Sequence, residues 1–329
     1  MYPFTYTKAK TNKEATAAMG SNSNAKFIGG GTNLLDLMKM NIEKPQQLID
    51  INSLDLKKIE TLPNGNVRIG ALVRNSDLAY DATIISKYPM LSKALLSGAS
   101  AQLRNMATTA GNILQRTRCY YFYDTAMPCN KREPGSGCSA INGYNRIHAV
   151  LGTSDKCIAT HPSDMCVALA ALDAIIHVEG TNGERTINFL DFHLLPGNTP
   201  EKENVLQQGD LITSIEIPAL PFASNSTYIK ARDRQSYEFA LSSAAVALDV
   251  SNGTINNARI ALGGIATKPW RAKDAEQYLI GKKSTTESFS AAGDIALKNA
   301  KTYKYNAFKP KLAKQTIISA LQTVGGNNG

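Results

Sequence analysis

Residues 115–157 constrain the fold more than any other part of this chain, because they interrupt an otherwise regular alternation of strands and helices. The segment is rich in Gly, Pro, Asn, Tyr and Cys, and it has neither a helical nor an alternating hydrophobic period. A loop this long inside a compact domain is usually functional or disordered. Its aromatic residues and thiols argue against disorder. The sequence therefore predicts an ordered insertion that gathers cysteines.

The regular parts of the chain predict an α+β protein. The predicted strands before and after the insertion cover 25–29, 46–51, 66–73, 174–180, 185–192 and 208–218, and the predicted helices begin near 34, 75, 91 and 163. After 227 the pattern becomes an antiparallel meander with the turn SNGT, followed by helices at 271–281, 286–302 and 309–323. A boundary in the Pro/Ser/Asn-rich stretch 218–227 divides the chain into 1–222 and 223–329, with GGNNG as a frayed tail.

Composition excludes some classes of protein. The net charge of +9 comes from basic residues spread along the whole sequence, which argues against a dedicated nucleic-acid arm. The longest apolar run, MCVALAALDAII, contains Asp173 and is too short to span a bilayer, so we expect no membrane insertion. The N-terminal MYPFTYTKAK has no apolar core of a secretory signal. We therefore expect a cytoplasmic protein, or a periplasmic one if a partner carries the export signal.

The first candidate site is the run Phe27-Ile28-Gly29-Gly30-Gly31-Thr32-Asn33, in which a strand passes through three glycines into a helix. Consecutive glycines let successive N–H groups point into one concavity, where a phosphate or pyrophosphate binds. No Lys-Ser/Thr pair follows, and Leu34 stands where a G-x-G-x-x-G motif needs its third glycine. A tight strand–helix turn without a ligand is the equally simple alternative.

The second candidate site is Arg104-Asn105-Met106-Ala107-Thr108-Thr109-Ala110-Gly111-Asn112. Its hydroxyl, amide and backbone groups could bind another phosphate or the edge of a ring. Clusters of Thr, Asn and Gly are also common in plain turns, so this motif alone is a weak signal.

The third candidate site is the set Cys119, Cys129, Cys138 and Cys157. Four thiolates from one irregular loop can hold a zinc ion or an iron–sulfur cluster, although no C-x2-C pair is present. Nearby basic residues would offset the charge of a thiolate cluster: Arg116, Arg118, Lys131 and Arg132. Cys166 lies in an apolar helix, where a small buried side chain is the favoured interpretation.

Two further groups of residues carry weaker signals. The aromatic run Tyr120-Tyr121-Phe122-Tyr123 could stack on nucleic-acid bases or pack over a buried cofactor, and the second interpretation is favoured. The four histidines, His148, His161, His177 and His193, show no spacing typical of metal ligands, so we expect structural or surface roles for them.

Three stretches together resemble one family: KFIGGGTNLLDLMK, QLRNMATTAGNILQRTRC and ALGGIATKPWRA. They look like the FAD-binding medium subunit of the xanthine oxidase family of molybdenum hydroxylases. The cysteine-rich insertion is similar to that of the bacterial aldehyde oxidoreductases, whose flavin subunit carries an extra [4Fe–4S] cluster. The resemblance covers essentially the whole chain. It implies a two-part PCMH-type FAD-binding region and a smaller C-terminal domain of antiparallel sheet and helices.

The resemblance also implies which residues bind the cofactors. The FAD-binding residues implied are Lys26, Phe27, Ile28, Gly29, Gly30, Gly31, Thr32, Asn33, Leu34, Thr108, Gly111, Asn112, Asp164, Ile212 and Lys230. The [4Fe–4S] ligands implied are Cys119, Cys129, Cys138 and Cys157. Ala110 stands where the family more often has a second glycine. No catalytic acid or base is assigned.

The function implied is electron transfer within a heterotrimer. A large molybdenum subunit would oxidise an aldehyde, a small subunit with two [2Fe–2S] clusters would relay the electrons, and this chain would pass them through FAD to an external acceptor. The flavin subunit of a xanthine dehydrogenase or of a hydroxybenzoyl-CoA reductase is the nearest alternative. A zinc-stabilised nucleic-acid-binding protein is the alternative from another class.

Overall fold

The computed structural model describes residues 1–326, so 327–329, the last part of the predicted GGNNG tail, lie outside the described residues. The strands of this part are β1 (Thr5–Lys8), β2 (Ala25–Ile28), β3 (Gln47–Asp50), β4 (Ile59–Thr61), β5 (Val67–Gly70), β6 (Ile175–Gly180), β7 (Gly183–Asn188), β8 (Leu211–Ile217), β9 (Ser226–Ala231), β10 (Ser242–Ser251), β11 (Thr254–Gly263) and β12 (Trp270–Arg271). The helices are α1 (Asn12–Ser21), α2 (Leu34–Lys39), α3 (Asn75–Tyr80), α4 (Ala82–Lys87), α5 (Pro89–Ser97), α6 (Ala101–Arg104), α7 (Thr109–Ile113), α8 (Tyr120–Tyr123), α9 (Ser139–Asn142), α10 (Asp164–Ala171), α11 (Phe189–Phe192), α12 (Lys273–Leu279), α13 (Thr286–Leu297) and α14 (Lys309–Gly325).

Three sheets organise these elements. The first is parallel, in the order β1-β3-β2, and α1 and α2 supply its connections. The second is a five-stranded antiparallel sheet in the order β4-β5-β8-β6-β7. The third is the four-stranded antiparallel sheet β12-β11-β10-β9, which packs against α14. The fold class is therefore α+β as predicted, with a C-terminal antiparallel sheet and helices.

The large hydrophobic core lies between the second sheet and α3, α5 and α10. The helix α10 is the centre of this core, since all eight of its residues are buried. A second core fills the space between the third sheet and α12, α13 and α14. The short strands that enter these cores were predictable, because β-branched and other apolar residues dominate them.

The stretch Phe189–Phe192 is a helical turn, so its prediction as the end of a strand is wrong. Phe189 and Phe192 are both buried in the same core. A strand would point residues three apart to opposite faces, whereas one helical turn points both to the same face. The strand therefore ends at Asn188, and the helical turn that follows lets both phenylalanine side chains be buried in the core.

A second difference lies in the segment after α5, where the sequence predicts no further helix before the one that begins near 163. It contains the short helix α6, whose first turn is capped by Ser100: the side-chain oxygen accepts a hydrogen bond from Leu103 N. The strand β1 was not predicted at all. All four of its residues are exposed, so no hydrophobic period marks it in the sequence.

The insertion 115–157 is ordered, as predicted, and consists of two single-turn helices, α8 and α9, joined by turns. Its side chains form a small core of their own with Leu37 of α2, which includes three of the four cysteines and Phe122. The insertion is also held from the C-terminal side. The Lys309 ammonium donates hydrogen bonds to the carbonyls of Ile147 (2.9 Å), His148 (2.9 Å) and Gly264 (2.6 Å).

Replacing Lys309 by methionine should lower the free energy of unfolding by at least about 1–3 kcal/mol, because buried carbonyls would lose their donor. Lys309 is 0% exposed, and burial lowers its pKa to about 7. Lys311→Met, two residues along at an exposed position, is the matched control and should change stability little. Thermal unfolding followed by circular dichroism measures both. Equal melting temperatures for the two variants would contradict this role of Lys309.

Candidate functional site

The three glycines form a concave loop between β2 and α2. A Cβ atom on Gly30 would lie 1.9 Å from the Met106 carbonyl oxygen, so only glycine fits against the second motif. Gly31 has a φ of +72°, which L-residues rarely adopt. In the described part of the chain, no protein hydrogen bond occupies the amide groups of Gly30, Gly31 or Thr32. These N–H groups are therefore available to an anionic ligand.

The second motif lies directly beside this loop. It pairs with the chain after β5, through hydrogen bonds from Thr109 N to Val73 O (2.9 Å) and from Asn75 N to Ala107 O (2.9 Å). Thr108 caps α7 by accepting a hydrogen bond from Gly111 N. The two motifs are in contact because Gly30 has no side chain, so the backbone of the glycine loop can approach the Met106 carbonyl oxygen.

Two cavities meet at the glycine loop and share its residues 30–33 together with Gly111. The inner cavity, about 650 Å³, extends to α5, α10 and β9. The outer cavity, about 760 Å³, extends over β2 to the segment 201–210. Each volume suits one half of an organic cofactor. Two such cavities joined at a set of free N–H groups fit a ligand whose two ring systems are linked by pyrophosphate.

A buried ion pair forms part of the wall of the inner cavity. Lys230 Nζ lies 2.8 Å from Asp164 Oδ2, and their side chains are 3% and 8% exposed. Tyr228, two residues before Lys230 on the same face of β9, donates its hydroxyl to the other oxygen of Asp164. Burial, together with the Asp164 carboxylate, raises the pKa of Tyr228 well above its ordinary value, so the phenol remains a donor.

Asp164 is the first residue of α10, and the preceding Ser163 fixes it in place. The Ser163 hydroxyl accepts a hydrogen bond from Cys166 N (3.0 Å), and it donates one to Asn112 Oδ1 (2.6 Å). One side chain therefore caps the helix and joins it to the second motif.

The structure brings fourteen of the fifteen residues of the predicted FAD site to these cavities. The inner cavity is lined by Asn112, Asp164 and Lys230, the outer cavity by Lys26, Phe27, Ile28, Gly29, Leu34 and Thr108, and both by Gly30, Gly31, Thr32, Asn33 and Gly111. Ile212 is the exception. It is 3% exposed in the large core on β8, and neither cavity, as formed by the described residues, includes it. Ile212 lies on the buried strand β8, and its side chain is in the core.

The four cysteines of the insertion line one small apolar cavity, together with Phe122, Pro128 and Ala140. Cys129 and Cys138 face each other across an isolated antiparallel bridge. Burial raises the pKa of Cys119 to about 12 and that of Cys157 to about 11, so these thiols stay protonated until a metal displaces the protons.

The spacing of the thiols distinguishes between kinds of metal site. Among the described residues, no three of these cysteines bring all their sulfurs within 4.8 Å of one another. A tetrahedral zinc ion with bonds of about 2.3 Å holds its sulfur ligands roughly 3.8 Å apart. The arrangement is thus wider than a mononuclear zinc site requires, while the cavity between the cysteines is small, about 10 Å³.

The basic residues beside the cysteines are paired with protein groups, and Lys131 also lines the thiol cavity, where its charge partly offsets the rise in the pKa of Cys157 that burial causes. Arg116 bridges Glu43 (2.6 Å) and Glu203 (2.7 Å), and Lys131 also binds Glu203 (2.9 Å). Arg118 lies 3.5 Å from Asp36. Arg132 donates to three backbone carbonyls of the insertion, those of Tyr121, Phe122 and Met127. These charges stabilise the loop and its contact with α2.

Two contacts of the site have no signal in the sequence. His148 Nε2 lies 3.0 Å from Cys119 Sγ, although 29 positions separate them. The Arg116 amide donates to Asn33 Oδ1 (3.0 Å), which ties the cysteine insertion to the glycine loop. Such contacts depend on how the insertion folds back, which no local spacing reveals.

Comparison with known proteins agrees with this geometry. A family model described as the FAD binding domain in molybdopterin dehydrogenase matches residues 2–220, and one described as the CO dehydrogenase flavoprotein C-terminal domain matches residues 226–324. The chain belongs to the FAD-binding medium subunits of the xanthine oxidase family. Its relatives are subunits of molybdenum-dependent oxidoreductases, and the predicted family is confirmed.

Individual relatives cover nearly the whole chain. The aldehyde oxidoreductase FAD-binding subunit PaoB of Escherichia coli is 49% identical over 98% of both chains. The glyceraldehyde dehydrogenase medium chain of Sulfolobus acidocaldarius is 30% identical over 86% of this chain and 84% of its own. The structure of carbon monoxide dehydrogenase from Hydrogenophaga pseudoflava superposes with a TM-score of 0.77 at 26% identity, covering 98% of each chain.

The described residues contain no helix that is both long and apolar enough to cross a membrane.

Gly30→Ala should lower the affinity for FAD roughly tenfold or more. The added methyl collides with the Met106 carbonyl and separates the two motifs. Gly183→Ala is the control: Gly183 has a φ of +104° and open space around its Cβ position, so it imposes backbone strain away from both cavities. FAD content after desalting, measured by fluorescence of the released flavin, should fall for Gly30→Ala alone. Equal retention in the two variants would contradict the role of Gly30.

Proposed function

We propose that this chain is the FAD- and [4Fe–4S]-binding electron-transfer subunit of a heterotrimeric molybdenum-dependent aldehyde oxidoreductase. The single observation that carries the proposal is the position of the four-cysteine cavity, which packs directly against the helix that starts at the glycine loop. The 49% identity to a protein named as an aldehyde oxidoreductase FAD-binding subunit supports the choice of substrate class.

The proposed FAD site uses the chain's own groups in a simple way. The amides of Gly30, Gly31 and Thr32, which no hydrogen bond among the described residues occupies, hold the pyrophosphate. Asp164 and Lys230 form a polar wall beside the ring system, fixed by Tyr228 and Ser163. FAD, when bound, supplies the redox chemistry, and these residues orient it and set its electrostatic surroundings. We keep Ile212, buried on β8, as a proposed apolar neighbour of the flavin.

The proposed cluster site fits the donor set. Four thiols line an apolar cavity, and their sulfurs are spaced more widely than a mononuclear zinc site requires. Two donors already approach the sulfurs: the His148 ring at Cys119 and the Ala159 amide, 3.4 Å from Cys157 Sγ. Hydrogen bonds of this kind to cysteine sulfur tune the reduction potential of iron–sulfur clusters.

The remaining partners follow from the family. We propose a large subunit with the molybdenum cofactor and a small subunit with two [2Fe–2S] clusters, with an external acceptor receiving electrons from the flavin. We keep residues 1–222 and 223–329 as the two domains. The flavin subunit of a xanthine dehydrogenase or hydroxybenzoyl-CoA reductase remains the alternative, because the large subunit sets the substrate. The compartment, cytoplasm or periplasm, depends on whether a partner carries an export signal.

Cys129→Ser should remove the cluster and leave FAD bound, since Cys129 lines the thiol cavity and neither of the cavities at the glycine loop. Iron, acid-labile sulfide and flavin are measured on one anaerobically purified sample. Cys166→Ala is the control, because Cys166 is a buried cysteine outside the insertion and should keep the iron content of the wild type. Loss of FAD with full retention of iron would contradict the assignment.

His148→Phe should lower the reduction potential of the cluster, because the reduced and more anionic cluster loses a donor to Cys119 Sγ. His148→Gln, which keeps an N–H group, should restore part of the difference. A redox titration followed by electron paramagnetic resonance measures each potential. Identical potentials for the wild type and His148→Phe would show that the ring does not act on the cluster.

A further inference from the structure

A second group of metal-binding side chains lies outside both proposed cofactor sites, beneath the start of α10. His161 and His193 meet edge to face, with ring centroids 4.4 Å apart and an interplanar angle of 71°. Cys166, 0% exposed on α10, is the third member. The possible ligand atoms of these three residues all lie within 4.8 Å of one another. In the part of the chain that the structure describes, no other group of three His, Cys, Asp or Glu side chains is this compact.

The distances are close to those of a small metal site. Bonds of about 2.0–2.1 Å to nitrogen and 2.3 Å to sulfur place tetrahedral ligands of zinc roughly 3.3–3.8 Å apart. Small side-chain rotations would bring the three residues into this range. The thiols of the insertion are more widely spaced, so the two groups suit different metal centres.

The hydrogen bonds of His193 prepare it for a metal. Its Nε2 lies 3.1 Å from the Ile113 carbonyl oxygen and donates to it, which leaves the lone pair on Nδ1. That Nδ1 is buried, and none of residues 1–326 forms a hydrogen bond with it. A histidine whose one nitrogen donates to a carbonyl while the other is free is the usual arrangement of a metal ligand. Without a ligand, a buried imidazole nitrogen of this kind carries a desolvation cost.

His161 also has a buried nitrogen without a partner, its Nε2. Its Nδ1 receives only a long contact, 3.4 Å from Ser163 N. Binding a metal through Nε2 requires the ring proton to reside on Nδ1 and this contact to be given up. The exchange replaces one weak hydrogen bond by a coordinate bond.

Space for a fourth ligand lies beside the two rings. A cavity of about 40 Å³ is lined by both histidines and by the polar side chains of Gln115 and Glu203, among others. A water molecule needs only about 10–15 Å³ of such volume. The Glu203 carboxylate, held by Arg116 and Lys131, remains ionised in this region because those cations lower its pKa despite its burial.

We propose that His161, His193 and Cys166 bind one Zn²⁺ ion, with water from the adjoining cavity as the fourth ligand. Two imidazole nitrogens and one thiolate are a ligand set that zinc accepts. On binding, the Cys166 thiol releases its proton to solvent and the Zn–S bond forms, with no change of oxidation state. The ion joins the chain before α10 to the chain after α11.

The test uses the full-length wild-type chain, purified anaerobically after growth with added zinc sulfate. Elemental analysis should find one zinc per chain in addition to the iron. X-ray absorption at the zinc edge should show nitrogen or oxygen neighbours with a single sulfur at about 2.3 Å. A shell of four sulfurs would place zinc in the insertion and overturn the proposal, as would zinc below 0.1 per chain, roughly a tenfold loss.

Variants separate this site from the proposed cluster. Cys166→Ala and His193→Gln should each reduce bound zinc at least about tenfold while iron and FAD are retained. Cys138→Ser should do the opposite, losing iron and keeping zinc. Zinc retained at the wild-type level in Cys166→Ala would contradict the inference. Iron missing from the wild type with zinc present would contradict only the proposed cluster. The X-ray absorption spectrum of the wild type identifies the ligands of the zinc ion even if a variant fails to fold.

Discussion

The partly buried guanidinium of Arg116 connects the two parts of the candidate site. It bridges Glu43, which follows α2, to Glu203 beside the outer cavity, and its backbone amide binds Asn33 of the glycine loop. Its charged group also lies 4.6 Å from the centre of the Phe122 ring, inside the cysteine insertion. Burial disfavours the charged form, but Glu203 and Glu43 raise the pKa of Arg116.

This connection explains why the insertion is ordered without regular structure. Leu37 of α2 completes the small core of the insertion, and Arg116 fixes its first residues to the glycine loop. The helix that begins at the proposed pyrophosphate site is therefore the same helix that supports the thiol cavity. Both proposed cofactors would therefore lie against α2, where Leu37 lines the outer cavity and packs in the core of the insertion.

The sequence predicts the parts of this site that depend on local chemistry. Three consecutive glycines between a strand and a helix predict the concave loop, and the loop has this shape because Gly30 contacts Met106 and Gly31 has a positive φ. The antiparallel C-terminal sheet is likewise predictable from its alternating pattern. The position of Ile212 was not predictable in this way, because an apolar residue on a buried strand gives the same sequence pattern beside a cofactor and in a core.

Contacts between distant segments escaped prediction for a different reason. The partners of Arg116 lie 73 and 87 positions away, and His148 reaches Cys119 across 29. Charge beside cysteines in a sequence does not tell whether the charge faces the sulfurs or a carboxylate. The pairing of His161 with His193 escapes for the same reason, since each histidine alone has no ligand spacing.

The most direct test of the account is the metal and flavin content of the full-length chain. Iron, acid-labile sulfide and FAD are measured together on an anaerobic sample whose absorption spectrum is recorded first. We expect flavin bands over a broad iron–sulfur absorption, with about four irons and four sulfides per chain. Flavin without iron and sulfide would contradict the central claim, because the thiol cavity beside α2 would then hold no cluster.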